Sequence, residues 1–411
     1  MGANPLDTAL YTLREAAGEA GLDPKVTELL STPKRTMEFT FPMRMDNGEV
    51  RIFTAYRAHW CDALGGFKDG TRFTKNLTLD ECKALALWMT IKHGVGGIPA
   101  GGGKGGIIVD PCELSEWELE RLSRSYMRHL PMKGAWVDVP GADIGTSEKT
   151  QGWMLDEYES IVGFHSPAAI NDKPTAVSGT LGTDEATGLG VYYVFEQAIK
   201  DFGFAEGCSV VVQGFGKVGS VLARYLTKGG YKVIAVGDVY GAIHEAGGID
   251  CVELEKYVAE TGSLVDFPGT KPVSNDELLE MQVDVLIPAA VQSVITDQNA
   301  SKIKAKLIIE AANGPVTPEA EDELKGKNIP VVPDVVANVG GAIVCHFERI
   351  QGLTDEYWDI ERVRNQLKDW ITRAYQSTAA TAGEKTISMR MAAWVNALKK
   401  IEASVKKRGW V

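Results

Sequence analysis

Ser209-Val-Val-Val-Gln-Gly214-Phe-Gly216-Lys-Val-Gly219 is the stretch of this sequence that decides the fold. The apolar run before Gly214 is typical of a strand buried on both faces of a parallel sheet. The run enters a G-x-G-x-x-G turn, and a helical pattern follows from Ser220 to Thr227. Strand, glycine-rich turn and helix in this order are the context that a dinucleotide-binding site requires.

The glycines of this turn have separate roles in binding a dinucleotide. Gly214 permits the tight turn, Gly216 lets the backbone approach the pyrophosphate, and Gly219 lets helix and strand pack closely. The pyrophosphate then lies at the helix N-terminus. The predicted cofactor-binding residues of the turn are Gly214, Phe215, Gly216, Lys217, Val218 and Gly219.

Asp238 ends the next predicted strand, roughly 20 residues after the turn, where a carboxylate can accept hydrogen bonds from a ribose. The following Val239–Ala242 offers no Arg or Lys for a 2′-phosphate. The sequence therefore favours NAD as the cofactor, with NADP possible.

Strand and helix patterns alternate through the second half of the chain. A flexible stretch at Ser178–Thr183 precedes them and marks a domain boundary. The predicted elements are a helix over 186–202 and strands over 209–214, 232–236, 283–288, 307–310 and 330–333. This alternation predicts an α/β, Rossmann-like doubly wound domain, with limits of 179–385.

The first half mixes strands and helices without that alternation, and it predicts a separate α/β domain over residues 1–178. The predicted elements are a helix pair over 4–31, a hairpin over 37–58, a glycine-rich loop over 65–72, a helix from Leu79 to about His93, a helix over 114–130 and a short strand over 136–139. A polar helix over 387–407 is predicted near the end of the chain.

Two glycine-rich stretches of the first half carry candidate catalytic groups. Pro99-Ala-Gly-Gly-Gly-Lys-Gly-Gly106 places Lys104 among glycines, and Pro140-Gly-Ala-Asp-Ile-Gly145 places Asp143 next to glycine and proline. Both stretches are predicted to be turns. An amine and a carboxylate held on two rigid turns can transfer protons at a carbon–nitrogen centre. Either stretch alone is equally explained as a tight connection with a surface charge.

Composition excludes several classes of function. The net charge of −12 argues against nucleic acid or an anionic membrane as the main partner. No apolar run is long enough for a transmembrane helix, and Met1–Asp7 lacks the pattern of a secretion signal. The six cysteines are scattered without a C-x-x-C pair, so we expect reduced thiols, a cytoplasmic location and no metal site.

At this point the chain resembles the glutamate dehydrogenase family, which includes leucine, valine and phenylalanine dehydrogenases. The matching stretches are Lys68-Asp-Gly-Thr-Arg-Phe73, Trp88-Met-Thr-Ile-Lys92, Gly101-Gly-Gly-Lys-Gly-Gly-Ile107, Asp138-Val-Pro-Gly-Ala-Asp-Ile-Gly145, Glu185-Ala-Thr-Gly188, Gly214-Phe-Gly-Lys-Val-Gly219, Ile287-Pro-Ala-Ala290, Ala311-Ala-Asn-Gly-Pro315 and Ala337-Asn-Val-Gly-Gly341. They follow the order of the family and cover nearly the whole chain.

The resemblance implies reversible, NAD(P)-dependent oxidative deamination of an L-amino acid, with L-glutamate and 2-oxoglutarate as the expected pair. It implies that Lys92 pairs with the substrate α-carboxylate, that Lys104 activates the attacking water and that Asp143 shuttles protons. The cofactor-binding residues that it adds are Thr187, Ala289, Asn313 and Asn338. It further implies that the first domain is completed by a C-terminal helix over 386–411 and assembles a homo-hexamer.

Several positions depart from the glutamate-specific pattern. Lys68 is kept as the lysine for a side-chain carboxylate, but the family's serine is Cys345, a weak hydrogen-bond donor. The usual glycine after that lysine is Asp69, whose charge can neutralise Lys68 or repel a carboxylate. Gly141 and Ala342 stand where larger residues are common, which predicts a larger side-chain pocket.

Three functions therefore remain open. The first is a glutamate dehydrogenase, and the second is the same chemistry on a bulkier or differently charged amino acid, for which Asn171 in place of a usual threonine is one more sign. The third is a catalytically silent homologue that regulates a partner. Retention of Lys92, Lys104 and Asp143 together argues against the third function.

Overall fold

The structure, a computed structural model, describes residues 4–411. Met1–Ala3, part of the segment predicted to lack a secretion signal, lie outside the described residues. The chain forms two compact units. The first contains residues up to Thr183, Ala342–Asn365 and Trp394–Val411, and the second contains Asp184–Gly341 and Gln366–Ala393.

The domain limits predicted from the sequence remain a prediction. They are 1–178 together with 386–411 for the first domain, and 179–385 for the second. The compact units differ from those limits mainly in Ala342–Asn365, which belongs to the first unit. Hydrogen bonds explain this assignment, because the backbone amides of Asp172 and Lys173 donate to the Glu348 carboxylate.

The first unit contains a mixed sheet with helices on it. Its elements are α1 (Pro5–Ala20), α2 (Pro24–Leu30), β1 (Arg35–Arg44), β2 (Val50–His59), β3 (Phe67–Phe73), α3 (Leu79–Gly96), β4 (Gly101–Ile107), α4 (Glu116–His129), β5 (Asp138–Ala142) and α5 (Glu148–Val162). Within the described part of the chain, five strands form this sheet in the order β1-β2-β4-β3-β5. β4 runs parallel to β3 and antiparallel to β2, and β3 runs parallel to β5.

Several local predictions for this unit are confirmed. The helix pair is α1 and α2, and Gly21 ends α1 in the left-handed conformation with φ 58°. The hairpin is β1 and β2, which pair antiparallel. The helix predicted from Leu79 is α3, which continues as far as Gly96. The strand predicted over 136–139 is β5, which begins later, at Asp138.

Two glycine-rich stretches that were predicted as a turn and a loop are strands of the sheet instead. The stretch around Lys104 is β4, and most of the predicted loop over 65–72 is β3. The prediction was wrong because glycine here serves close packing. A Cβ atom on Gly102 would collide with the Ala86 carbonyl of α3, and one on Gly105 would collide with the Tyr56 carbonyl of β2.

The second unit contains a doubly wound sheet, as predicted. Its elements are α6 (Ala186–Asp201), β6 (Ser209–Gln213), α7 (Lys217–Lys228), β7 (Lys232–Gly237), β8 (Ala242–His244), α8 (Cys251–Thr261), β9 (Lys271–Val273), α9 (Asn275–Leu279), β10 (Val285–Pro288), β11 (Leu307–Ile309), α10 (Pro318–Gly326), β12 (Val331–Val332) and α11 (Asp334–Ala337). Seven strands of residues 4–411 form it in the order β12-β11-β10-β6-β7-β8-β9.

The strands from β12 to β7 are parallel and carry the buried apolar runs seen in the sequence. β8 and β9 add an antiparallel edge that was not predicted. Each has three residues, too few for an alternating pattern to be recognised.

The last helices of the chain each contribute residues to both units. They are α12 (Gly340–Thr354), α13 (Ile360–Lys385) and α14 (Met389–Lys407). The polar helix predicted over 387–407 is α14. Within residues 4–411, no helix is both long and apolar enough to cross a membrane. In the same part of the chain, no group of His, Cys, Asp and Glu side chains is arranged to hold a metal ion, and the six cysteines are free thiols.

Candidate active site

Lys104 and Asp143, which were predicted as catalytic residues, form an ion pair in the first unit. Lys104 lies on β4 and Asp143 directly follows β5, so the two side chains come from the strands on either side of β3. Lys104 Nζ contacts Asp143 Oδ2, and each side chain is 10% exposed. A Cβ atom on Gly70 of β3 would lie 2.5 Å from Asp143 Oδ2 and 2.7 Å from Lys104 Nζ. Because Gly70 has no side chain, the space that the ion pair occupies stays free of other atoms of β3.

Arg72 orients the Asp143 carboxylate, a contact that the sequence did not predict. Arg72 Nε and the backbone amide of Ile144 both donate to Asp143 Oδ1, at 3.0 Å and 2.6 Å. Burial alone would raise the pKa of Asp143, but Lys104 and Arg72 lower it to about 2. The carboxylate is thus ionised at neutral pH. The signal for Arg72 was its place in the matching stretch that begins at Lys68.

Two further lysines predicted to bind substrate are buried in the same unit. Lys68 lies on β3, next to the strand of Lys104, and Lys92 lies near the end of α3. α3 is fixed to β4 by a 3.0 Å hydrogen bond from the Gly102 amide to Thr90 Oγ1. Gly102 is also the pairing partner of Lys68. α3, which carries Lys92, is thus bonded to β4 at the residue that pairs with Lys68.

The remaining residues predicted for the substrate side chain lie around Lys68. Lys68 Nζ donates to the Ala342 carbonyl at 3.4 Å. Asn171 Nδ2 donates to the Cys345 carbonyl at 2.7 Å, and Cys345 Sγ donates to Asp172 Oδ1 at 2.9 Å. Asp172 was not predicted as a site residue, and its position next to Asn171 was the only signal for it.

The space beside Gly141 is taken up by Asp172. A Cβ atom on Gly141 would lie 2.8 Å from Asp172 Oδ2, and the same oxygen accepts a hydrogen bond from the Ala142 amide at 2.9 Å. From the sequence, a glycine here predicts extra room for substrate. In the structure the glycine accommodates a carboxylate of the protein instead.

A buried ionic network, which the sequence did not reveal, is hydrogen-bonded to the backbone of β3. Arg57 and His59 of β2 both contact the Asp138 carboxylate, at distances of 2.6–2.8 Å, and all three side chains are fully buried. Arg57 Nη1 also donates to the carbonyls of Asp69 and Gly70, at 2.9 Å and 3.1 Å. The network therefore fixes the part of β3 that carries Lys68 and that faces the Lys104–Asp143 pair.

In the second unit, the glycine-rich turn forms a cradle of the shape that a dinucleotide needs. Gly214 has φ 104°, and a Cβ atom on it would lie 2.8 Å from the Ala290 amide nitrogen. A Cβ atom on Gly219 would collide with the Gly214 carbonyl and lie 3.5 Å from the Ala289 side chain. Gly216 precedes the first turn of α7, and no atom lies within 4 Å of where its Cβ would be. The start of α7 is thus open to a phosphate group.

The other residues predicted to bind cofactor also belong to this unit. Asp238 follows β7, and its Oδ1 accepts from the amides of Tyr240 and Gly241. Asn338 Nδ2 donates to Asn313 Oδ1 at 2.9 Å. A Cβ atom on Gly341 would lie 2.7 Å from Thr187 Oγ1. The residues present therefore fit a dinucleotide.

Two family models match the chain over most of its length. The model for the "Glu/Leu/Phe/Val dehydrogenase, dimerisation domain" matches residues 33–160, and the model for "Glutamate/Leucine/Phenylalanine/Valine dehydrogenase" matches residues 178–409. The chain belongs to the Glu/Leu/Phe/Val dehydrogenase family. A curated relative of this dehydrogenase, the NAD-specific glutamate dehydrogenase of Staphylococcus aureus (strain COL), is 40% identical over 97% of this chain and 96% of its own.

Solved structures of the same family share the fold. The hetero-hexameric glutamate dehydrogenase of Thermus thermophilus, in its Leu bound form, has a TM-score of 0.93 at 35% identity and covers 99% of this chain and 98% of its own. The glutamate dehydrogenase of Peptoniphilus asaccharolyticus has a TM-score of 0.90 at 37% identity and covers 99% of this chain and 100% of its own. The fold predicted for this dehydrogenase is thereby confirmed.

Proposed function

We propose that this protein is an NAD-dependent glutamate dehydrogenase, which converts L-glutamate reversibly to 2-oxoglutarate and ammonia. The observation that carries the proposal is the Lys104–Asp143 ion pair over Gly70, in a chain that also contains a dinucleotide cradle at Gly214. The name of the Staphylococcus aureus relative, an NAD-specific glutamate dehydrogenase, supports both the substrate and the cofactor.

The proposed roles follow from the charges of the site. The ammonium group of Lys92 pairs with the α-carboxylate of the amino acid and fixes its orientation. The ionised Asp143 accepts a proton from the substrate ammonium group, which leaves a neutral amine with a lone pair. NAD, when bound, would supply the acceptor for the hydride that the substrate Cα loses. Lys104 then activates the water that attacks the iminium carbon, and the carbon–nitrogen bond breaks to release ammonia.

The proposal extends to the cofactor and the assembly. Asp238 would accept hydrogen bonds from the adenosine ribose of NAD, and no cation in Val239–Ala242 would hold the 2′-phosphate of NADP. Thr187, Ala289, Asn313 and Asn338 would bind the nicotinamide half. We further propose a homo-hexamer; the hetero-hexameric relative from Thermus thermophilus supports the number of subunits. The cytoplasmic location stays a prediction from the scattered cysteines.

A steady-state assay tests this function directly. Purified protein should oxidise NADH in the presence of ammonia and 2-oxoglutarate, and NADPH should be used more slowly. The comparison substrates are 2-oxo acids with aromatic, basic and branched apolar side chains. Faster turnover of an aromatic or basic 2-oxo acid would contradict the glutamate assignment. Measurable NADH binding without turnover of any 2-oxo acid would indicate the catalytically silent homologue.

Lys68→Ala should raise the KM for 2-oxoglutarate by about tenfold or more, because the variant loses the cation nearest the substrate side-chain carboxylate. The KM for apolar 2-oxo acids should change far less. The measurement is a pair of saturation curves for each enzyme at fixed ammonia and NADH. An equal rise for acidic and apolar substrates would remove Lys68 from side-chain recognition.

A further inference from the structure

The ammonium group of Lys68 already forms an ion pair with a carboxylate of the same chain. Its side chain is 1% exposed, and its Nζ lies 2.9 Å from Asp69 Oδ1. The second oxygen of Asp69 lies 2.7 Å from His93 Nε2. Burial alone would raise the pKa of Asp69, but Lys68 and His93 hold that pKa well below its usual range. Asp69 is thus a full negative charge in contact with Lys68.

The other polar groups around Lys68 do not restore a positive charge. Asp172 acts electrostatically on Lys68 and accepts the hydrogen bond from Cys345 Sγ. Burial lowers the pKa of His93. Burial together with Lys68 lowers the pKa of His346 to about 3, so the His346 imidazole is neutral at pH 7. One lysine therefore faces two carboxylates. A substrate that brings another carboxylate must compete with those of the protein.

The backbone at Asp69 gives a second, independent observation. Its φ is 114°, a conformation that favours glycine and strains an aspartate. The hydrogen bonds from Arg57 to the carbonyls of Asp69 and Gly70 hold this conformation. The strained backbone directs the Asp69 carboxylate onto Lys68. A glycine at position 69 would leave the Lys68 ammonium group free to bind a substrate carboxylate.

We propose that Asp69 is a specificity-determining residue that competes with the substrate side-chain carboxylate for Lys68. This inference rests on the proposed glutamate dehydrogenase activity and refines the substrate range of the same site. An uncharged side chain of similar length leaves the Lys68–Asp69 pair intact, whereas 2-oxoglutarate must displace Asp69 or share Lys68 with it. The enzyme consequently discriminates only weakly between 2-oxoglutarate and uncharged 2-oxo acids of the same length.

The test compares 2-oxoglutarate with 2-oxopentanoate, which has the same five carbons and no terminal carboxylate. The kcat/KM ratio of the two substrates is measured at fixed ammonia and NADH for the natural enzyme and for Asp69→Asn and Asp69→Gly. Both variants remove the charge, so the ratio should move toward 2-oxoglutarate by about tenfold or more in each. Asp62→Asn is the matched control, since it removes a carboxylate from the half-exposed Lys34 pair of the same unit and should leave the ratio unchanged.

The two variants separate charge from backbone. Asp69→Asn keeps a side chain at the strained backbone position, whereas Asp69→Gly also relieves the backbone strain. A ratio that changes in neither variant, or only in Asp69→Gly, would overturn the proposal. Failure of the natural enzyme to turn over either substrate would instead contradict the proposed function. In that case, calorimetric affinities of the NADH complex for the two 2-oxo acids provide a ratio of dissociation constants on which the variants can be compared.

Discussion

Lys104→Ala is expected to lower kcat for glutamate oxidation by about 10²–10⁴-fold, the range typical for loss of a general acid–base group. The reason is that Lys104, on β4, contacts Asp143, and alanine leaves no amine at that position. NADH affinity should stay nearly unchanged, because the dinucleotide cradle belongs to the other compact unit. The measurement combines steady-state kinetics with NADH binding followed by fluorescence.

Asp143→Ser should cause a loss of similar size, since we propose that Lys104 and Asp143 act as one proton-transfer unit. The double variant should then be about as slow as either single variant, because losses within one catalytic unit are not additive. Lys83→Ala is the control, as it removes the lysine of a helix-surface ion pair with Asp80. Lost NADH binding in the Lys104 variant, or equal losses in the control, would show that the roles are misassigned.

Asp138→Asn should reduce the free energy of unfolding by about 3–5 kcal/mol, the usual effect of removing one partner from a buried ion pair. Asparagine keeps the shape of the side chain but leaves the Arg57 guanidinium without a counter-charge in a fully buried position. The free energy is measured by equilibrium unfolding in urea. Asp62→Asn, which breaks the Lys34 pair, should cost no more than about 1 kcal/mol.

The same network gives the sign of a pH dependence. Burial opposes ionisation of Asp138, but Arg57 and His59 hold its pKa well below the usual carboxyl value. Such a group stabilises the fold fully above the unfolded-state pKa of about 3.9, and the contribution is lost as the pH falls through the folded-state value. The destabilisation by Asp138→Asn should thus shrink below about pH 4. A loss that stays constant down to pH 3 would contradict the ionic explanation.

Much of the second unit was predictable because its signals are local. The valines before Gly214 and the helix after Gly219 are adjacent in sequence, and β6, the glycine turn and α7 form in that order. The short β8 and β9 were missed, since three residues do not show a period. In the first unit, α1, α3 and the β1–β2 hairpin followed from periodicity and turn residues in the same way.

The glycine-rich strands could not be predicted in this manner. Gly102 and Gly105 look like turn residues, because glycine removes a side chain both where a chain bends and where two backbones approach closely. Only the positions of the Ala86 and Tyr56 carbonyls against β4 show that close approach is the reason. The same ambiguity led to the interpretation of Gly141 as room for substrate.

The sequence by itself determined the α/β class, the dinucleotide turn and the residue types of the proposed catalytic pair, since each depends on neighbours along the chain. Only the tertiary structure decided which charged side chains contact each other. Lys104 pairs with Asp143 next to Gly70. Arg57 forms a buried pair with Asp138, and Asp69 pairs with Lys68. These contacts join residues from separate strands. Their energies depend on burial and on distances of a few ångströms, which no spacing in the sequence specifies.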